Sequence, residues 1–321
     1  MGFGETFLVF PDLFPTRRGG EAWGTRTLHI DFVGGPYRFC GLDDRQVEAC
    51  RERFGDLAIP IDPNDLHHRS EPAAAVEVSL FRAGPQEFHP ADTRGHWNYT
   101  FDLDFHPETV RLAGVDFMGR LDRSTADGEA TWRPTLWTCQ AEGVAFQCLF
   151  ENFFRVIVAY RLLDLGGVLL HSAGIASRGV AHLFLGPSGA GKSTISRLGL
   201  ASGRTVLSDD MNALCPPEDS LDGATPRVEK LPFAGDLGRT PTPRDSYPLA
   251  TLNRLRQGPD ALNPLPTASA LASLVACAPF VNGDPHRLDT LMGNLQRILH
   301  TFPAHELTFS KDGTFWPLLE A

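Results

Sequence analysis

The spacing of hydrophobic and polar positions changes character once along the chain. Up to about residue 140, the runs 27–33, 75–81, 97–105 and 109–117 alternate apolar and polar residues. A period of two places successive side chains on opposite faces of a pleated ribbon, so these runs predict half-buried strands. One helix is expected among them, because Asp43 and Asp44 precede Val47, Cys50 and Phe54, a capping position followed by an apolar stripe. Stretches rich in Pro, Gly and Asp, such as 60–74, predict surface loops. Asp65, His67 and His68 in that stretch are read as solvated loop residues, since no third ligand follows at a helical or hairpin spacing.

From about residue 142 the period becomes helical. Phe146, Leu149, Phe150, Phe153, Val156, Ile157, Tyr160 and Leu163 predict a long helix ending near Gly166 and Gly167. Strands at 168–173 and 180–185, a glycine-rich turn, a helix at 192–201 and a strand at 204–207 follow. Helical patterns at 267–281 and 286–302 and a strand at 304–310 complete the chain. Two domains are expected: a β-rich N-terminal domain of unknown role over 1–140, and an α/β domain over 141–321.

Composition narrows the function classes. Of 321 residues 42% are hydrophobic and 21% charged, which excludes collagen, coiled coil and disorder as the main description. A net charge of −10 opposes a sequence-independent grip on nucleic acid or on an anionic membrane, so neither is expected as a partner. The cysteines at 40, 50, 139, 148, 215 and 277 show no CxxC pair and no zinc-finger spacing, which suits reduced buried thiols in a cytoplasmic protein. Met1 to Thr6 lack the basic start of a secretion signal. The apolar stretch 152–171 is interrupted by Arg155, Arg161 and Asp164, so no transmembrane span is expected.

The strongest chemical signal is Gly186-Pro187-Ser188-Gly189-Ala190-Gly191-Lys192-Ser193, a full GxxxxGK[ST] followed by Thr194. Small residues let backbone N–H groups turn inward around a phosphate, and the following helix presents its positive end to the anion. Lys192 is then within reach of the β- and γ-phosphates, and the Ser193 hydroxyl can ligate Mg²⁺. The chain has only three lysines, and a shuffle of its composition yields the motif about 0.003 times, so chance is a poor explanation. With no guanine-reading NKxD segment downstream, ATP is the expected nucleotide.

Seventeen residues after Lys192 the strand 204–207 runs into Ser208-Asp209-Asp210. Acidic residues at such a strand end commonly hold the magnesium of a phosphate-loop protein, and two of them can divide the work, one on the metal and one taking a proton from an attacking hydroxyl. His171 ends the strand twenty-one residues before Lys192. It reads either as a satisfied core or turn residue or as a partner of a carboxylate or phosphoryl oxygen. Arg239, Arg244, Arg254 and Arg256 are candidates for a planar fork on the transferred group, although surface arginines are the commoner case. Trp97, Trp132 and Trp137 are read as core or sheet residues.

Taken together, Leu170-His171-Ser172-Ala173, the loop 186–193 and Leu207-Ser208-Asp209-Asp210 resemble the catalytic half of the HPr serine kinase/phosphorylase family over roughly residues 142–310. That resemblance implies a P-loop kinase fold similar to the nucleotide-binding core of phosphoenolpyruvate carboxykinase. It implies ATP and Mg²⁺ as cofactors, Lys192 and Ser193 on the phosphates and metal, Asp209 supporting the metal, Asp210 as general base and His171 in the same site. Glu229 is carried over as a further metal ligand. It also implies assembly as a homo-oligomer and, as acceptor, a Ser or Thr hydroxyl of a small protein or peptide in a peptide-modification pathway. The chain departs from the family in having Thr194 where Glu is usual, in lacking the second glycine-rich signature, and in residues 1–140. A kinase of a small-molecule hydroxyl such as free serine, and a nucleotide-gated binding or scaffold protein, are the alternative readings.

Overall fold

The computed structural model describes residues 14–61, 75–89, 101–126, 129–217, 225–233, 235–238, 242 and 245–320. Asp65, His67, His68, Trp97, Arg239 and Arg244 lie outside the described residues. Within them the chain is an α/β protein of mixed sheets and six α-helices. It divides into two units, Met1–Ile157 and Val158–Ala321, and the division falls inside one helix.

The first unit is organised by an eight-stranded sheet. Its strands are β1 (Arg26–Ile30), β2 (Tyr37–Leu42), β3 (Ala58–Ile61), β4 (Val76–Arg82), β5 (Phe101–His106), β6 (Thr109–Gly114), β7 (Phe117–Ala126) and β8 (Glu129–Thr138), in the order β3-β1-β2-β4-β8-β7-β6-β5. β4 pairs in parallel with β2 and β8, and the remaining neighbours are antiparallel. Helix α1 (Asp44–Phe54) starts where expected, with Asp43 and Gln46 forming a reciprocal capping box that satisfies two backbone N–H groups.

Alternation sorts the two faces of this sheet. Leu28, Phe39, Val78, Leu112, Leu121 and Leu136 are buried. Phe39 meets Phe150 and Phe154 of helix α2 (Gly143–Asp164) at ring-centroid distances of 4.7 and 4.9 Å. Each side chain so buried contributes roughly 1.5–3 kcal/mol. The other face is polar: Asp122 is bound by Arg120 and lies 3.5 Å from Arg18, and Glu77 lies 3.7 Å from Arg38. A concavity of about 740 Å³ opens there, lined among others by Glu77, Ser79, Asp122, Arg133 and Thr135. Trp132 and Trp137 are buried residues of β8.

The second unit holds β9 (Val168–His171), β10 (Ala173–Ser177), β11 (Val180–Leu185), β12 (Thr205–Ser208), β13 (Met211–Cys215), β14 (Arg227–Lys230) and β15 (Ser246–Gln257), in the order β12-β10-β11-β15-β14-β13-β9. β16 (Ala261–Pro264) and β17 (Ala304–Phe309) extend it beside β15. Helices α3 (Lys192–Ala201), α4 (Thr267–Ala276), α5 (Leu288–Thr301) and the short α6 (Trp316–Leu319) complete the unit. Ile175, Phe184, Ile195, Val206, Leu307 and Phe309 form one buried cluster that joins α3 to the strands.

Two expectations are corrected here. The strand expected over 168–173 is two strands, parted at Ser172: β9 pairs with β13, whereas β10 pairs with β11 and β12. The chain makes the matching change between β12 and β13, at Asp209 and Asp210, and the Ser172 N–H donates to the Asp210 carbonyl at 3.0 Å. The helix expected over 267–281 stops at Ala276, because Pro279 cannot continue the ladder and Phe280 has a φ of 68°. All six cysteines are free thiols. Among the described residues, no helix is long and apolar enough to cross a membrane.

Candidate functional site

The glycine-rich loop sits between two elements set by local pattern. β11 (VAHLFL) is buried along nearly its whole length, lies between antiparallel β10 and parallel β15, and delivers Gly186 at its C-terminal end. Gly191, in a left-handed conformation at φ 112°, caps α3, and no side chain caps the helix. Its first-turn N–H groups therefore have no side-chain acceptor and remain available to an anion. Pro187, Ser188 and Gly189 form the exposed rim of the loop, Ala190 donates its N–H back to the Pro187 carbonyl at 3.1 Å, and Thr194 is half-buried in the first turn of α3.

Lys192 is folded into this loop. Its side chain is buried, and Nζ donates to the Gly186 carbonyl at 2.8 Å and the Pro187 carbonyl at 3.5 Å. Burial pushes its pKa below the ordinary lysine value, while Cys277 and the Asp210 carboxylate act in the opposite sense. The loop lysine and the second aspartate thus share one electrostatic environment.

The acidic pair divides as consecutive residues do. Asp210 lies against His171, with Oδ1 3.4 Å from Nε2, and both are partly open to solvent. The β9–β13 register brings them there by setting His171 opposite Met211. The Ser208 hydroxyl accepts the Asp210 and Met211 N–H groups at 3.1 Å each and so holds the corner. Asp209 is buried, and its Oδ1 accepts the Leu237 N–H at 3.4 Å. Burial raises its pKa; the Leu237 N–H works against this, and the negative Asp236 and Asp210 add to it.

Asp236 is the residue the sequence reading missed. It lies in a tight turn, closed by the Gly238 N–H donating to the Gly235 carbonyl at 3.0 Å, and the Ser193 hydroxyl donates to its Oδ2 at 3.4 Å. The turn approaches so closely that a Cβ on Gly235 would stand 2.2 Å from Asp209 Oδ1. Ser193, Asp209 and Asp236 are thereby gathered around one turn, forty-three residues along the chain from Ser193. An acid in a Gly-Asp-Leu-Gly turn was the only signal available beforehand.

The remaining candidates are placed differently. Glu229, on β14, accepts the Ser246 hydroxyl and lies 3.5 Å from Arg227. The structure does not join it to Ser193 and Asp209 through any of these contacts. Arg254 stands opposite Leu185, the last residue of β11, and donates through Nε to Glu306 at 3.2 Å, with Arg256 3.5 Å from the same carboxylate. Arginine pairing holds Glu306 below the usual carboxylate range. Among the described residues, no group of three or more His, Cys, Asp and Glu side chains is arranged to hold a metal ion; the carboxylate that the Ser193 hydroxyl meets is that of Asp236. No protein-family model and no curated protein matches this chain.

Proposed function

We propose that the chain is an ATP- and Mg²⁺-dependent kinase that transfers the γ-phosphoryl group to a Ser or Thr hydroxyl of a small protein or peptide, and that β11, the loop and α3 belong to a P-loop kinase core of the phosphoenolpyruvate carboxykinase-like type. The observation that carries the reading is that Asp210, in solvent-open contact with His171 and next to the buried Asp209, acts electrostatically on the phosphate-loop lysine Lys192.

The residues present suit both groups. The hydroxyl of Ser193 and the carboxylates of Asp209 and Asp236 are hard oxygen donors, and Mg²⁺ needs few protein ligands because it retains water. Burial first, and then the negative Asp236 and Asp210, raise the pKa of Asp209, and a bound cation would favour its charged form. Uncapped N–H groups at α3 suit a phosphate. Bound together, ATP and Mg²⁺ supply a transferable phosphoryl group whose charge is already partly neutralised. Lys192, whose Nζ is held by the Gly186 and Pro187 carbonyls, would offer the same donor to the phosphate oxygens. Asp210 accepts the proton of the acceptor hydroxyl, and His171, 3.4 Å away, orients that carboxylate.

The test pairs thermal melting with transfer. Wild type and Asp210→Asn gain about 2.7 kcal/mol from Mg²⁺-ATP at 100 times its Kd, Lys192→Ala gains none, and Asp210→Asn loses transfer of labelled γ-phosphate to Ser/Thr peptides. Undiminished transfer by Asp210→Asn refutes the mechanism. Absence of any shift with ATP, GTP or pyrophosphate refutes the nucleotide site. A shift with no transfer to peptides or free serine favours a nucleotide-gated binding protein.

A further inference from the structure

We infer that Asn212 is a positioning residue whose side-chain amide holds the His171–Ser172 corner and thereby sets the His171 imidazole against Asp210; the inference rests on the proposed role of Asp210 as base. Asn212 is fully buried in β13, in the otherwise apolar run Met211-Asn212-Ala213-Leu214. Its Nδ2 donates to the Ser172 carbonyl at 2.8 Å and to the Ser172 hydroxyl at 3.1 Å.

The position of these bonds is informative. Ser172 is the single residue between β9 and β10, where the chain leaves one set of strand partners for another. A backbone group at such a switch loses its ladder partner, and a buried carbonyl without a donor is costly. Asn212 supplies the donor to the carbonyl, while the Ser172 N–H goes to the Asp210 carbonyl at 3.0 Å. Ser172 directly follows His171, and Asn212 stands two residues after Asp210. The clamp therefore ties together the two backbone segments that carry the histidine and the aspartate. A second backbone bond, His171 N–H to the Cys277 carbonyl at 2.7 Å, fixes the other side of the corner.

Simple core stability is a poor reason for an amide there. Asn212 Oδ1 is buried with no hydrogen-bond partner among the described residues. Room for it exists only because residue 174 is glycine: a Cβ there would lie 2.3 Å from Oδ1. An apolar side chain would leave no orphan oxygen, but it could not hold the Ser172 carbonyl.

The experiment is a kinetic double-mutant cycle on the full chain, with a Ser/Thr peptide as acceptor. Asn212→Leu lowers kcat about 10- to 100-fold, the scale expected when a reacting group is misplaced by about an ångström. The KM for ATP and the Mg²⁺-ATP melting shift stay within about twofold of wild type, because the loop is untouched. In a His171→Ala background the same substitution costs less than about twofold, since its effect is relayed by the imidazole. Gly174→Ala presses on the amide without removing it and lowers kcat in the same direction; it stands in if Asn212→Leu does not fold. An equal loss in both backgrounds, or a rise in KM for ATP in step with the fall in kcat, overturns the inference. A wild type that transfers no phosphate brings down the kinase reading instead. The clamp is then read from the structures of wild type and Asn212→Leu: loss of the His171–Asp210 contact supports it, and persistence of that contact refutes it.

Discussion

Replacing Gly191 by alanine strikes the loop where it becomes α3, and the cost divides into two parts. The first is conformational: φ is 112°, a region L-residues enter at a cost of about 1–3 kcal/mol. The second is steric. The new Cβ would stand 2.6 Å from Phe309 Cζ and 3.2 Å from Cε1. Phe309 is not free to yield, being 2% exposed and packed on Phe315 at 5.6 Å in the cluster that contains Ile195 and Phe184. Overpacking of this kind costs about 1–3 kcal/mol. The sum is about 2–6 kcal/mol, and at about 2–4 °C per kcal/mol for a unit of this size the melting temperature falls by roughly 4–24 °C. Gly189→Ala is the control: φ is 80°, but nothing lies within 4 Å of the Cβ position, so only the conformational part applies. Melting followed by circular dichroism, with and without Mg²⁺-ATP, reads both. Equal losses in the two variants, or a Gly191→Ala protein within about 2 °C of wild type, refute the argument that the loop is braced on Phe309.

Two further outcomes follow from charge. Asp209→Asn raises the melting temperature of the ligand-free protein near neutral pH, because it removes a carboxylate whose pKa burial has raised, and it abolishes the Mg²⁺-dependent part of the ATP shift. Asp236→Asn also loses that part; retention of it in both variants, measured by melting against Mg²⁺ titration, rejects the metal assignment. Burial of His182, whose Nδ1 lies 2.9 Å from the Thr251 hydroxyl, depresses its pKa from 6.5 to about 4. The folded state then binds this proton less well than the unfolded chain, so the associated stability is present above pH 6.5 and is lost as pH falls toward 4, in all about 3 kcal/mol. Urea unfolding at pH 7 and pH 4 should show wild type losing that much more than His182→Gln; parallel losses contradict it.

Much of the fold was legible because its signals are local. The cap at Asp43 with the stripe that follows it, the apolar stripe of α2 and the order β11, glycine loop, α3 each depend on residues a few positions apart. β15 escaped notice because it serves two sets of neighbours: its first half pairs with β14 and its second with β11 and β17, so its burial pattern lacks a clean alternation. The break at Ser172 was equally hidden, since Val168 to Ala173 are uniformly apolar apart from His171 and Ser172, and nothing local says where a strand exchanges partners.

By itself, then, the sequence determined the glycine loop with its lysine and serine, the acidic pair at a strand end, and the change from period two to helical period. Backbone preference and side-chain period act over a single turn or pleat and can be read without the rest of the chain. Tertiary structure alone decided that Asp209 and Asp210 face different partners, that Asp236 rather than Glu229 comes to Ser193, and that His171 stands 3.4 Å from Asp210. Those distances come from strand register and from one turn, set by the packing of segments tens of residues apart, and no local pattern encodes them.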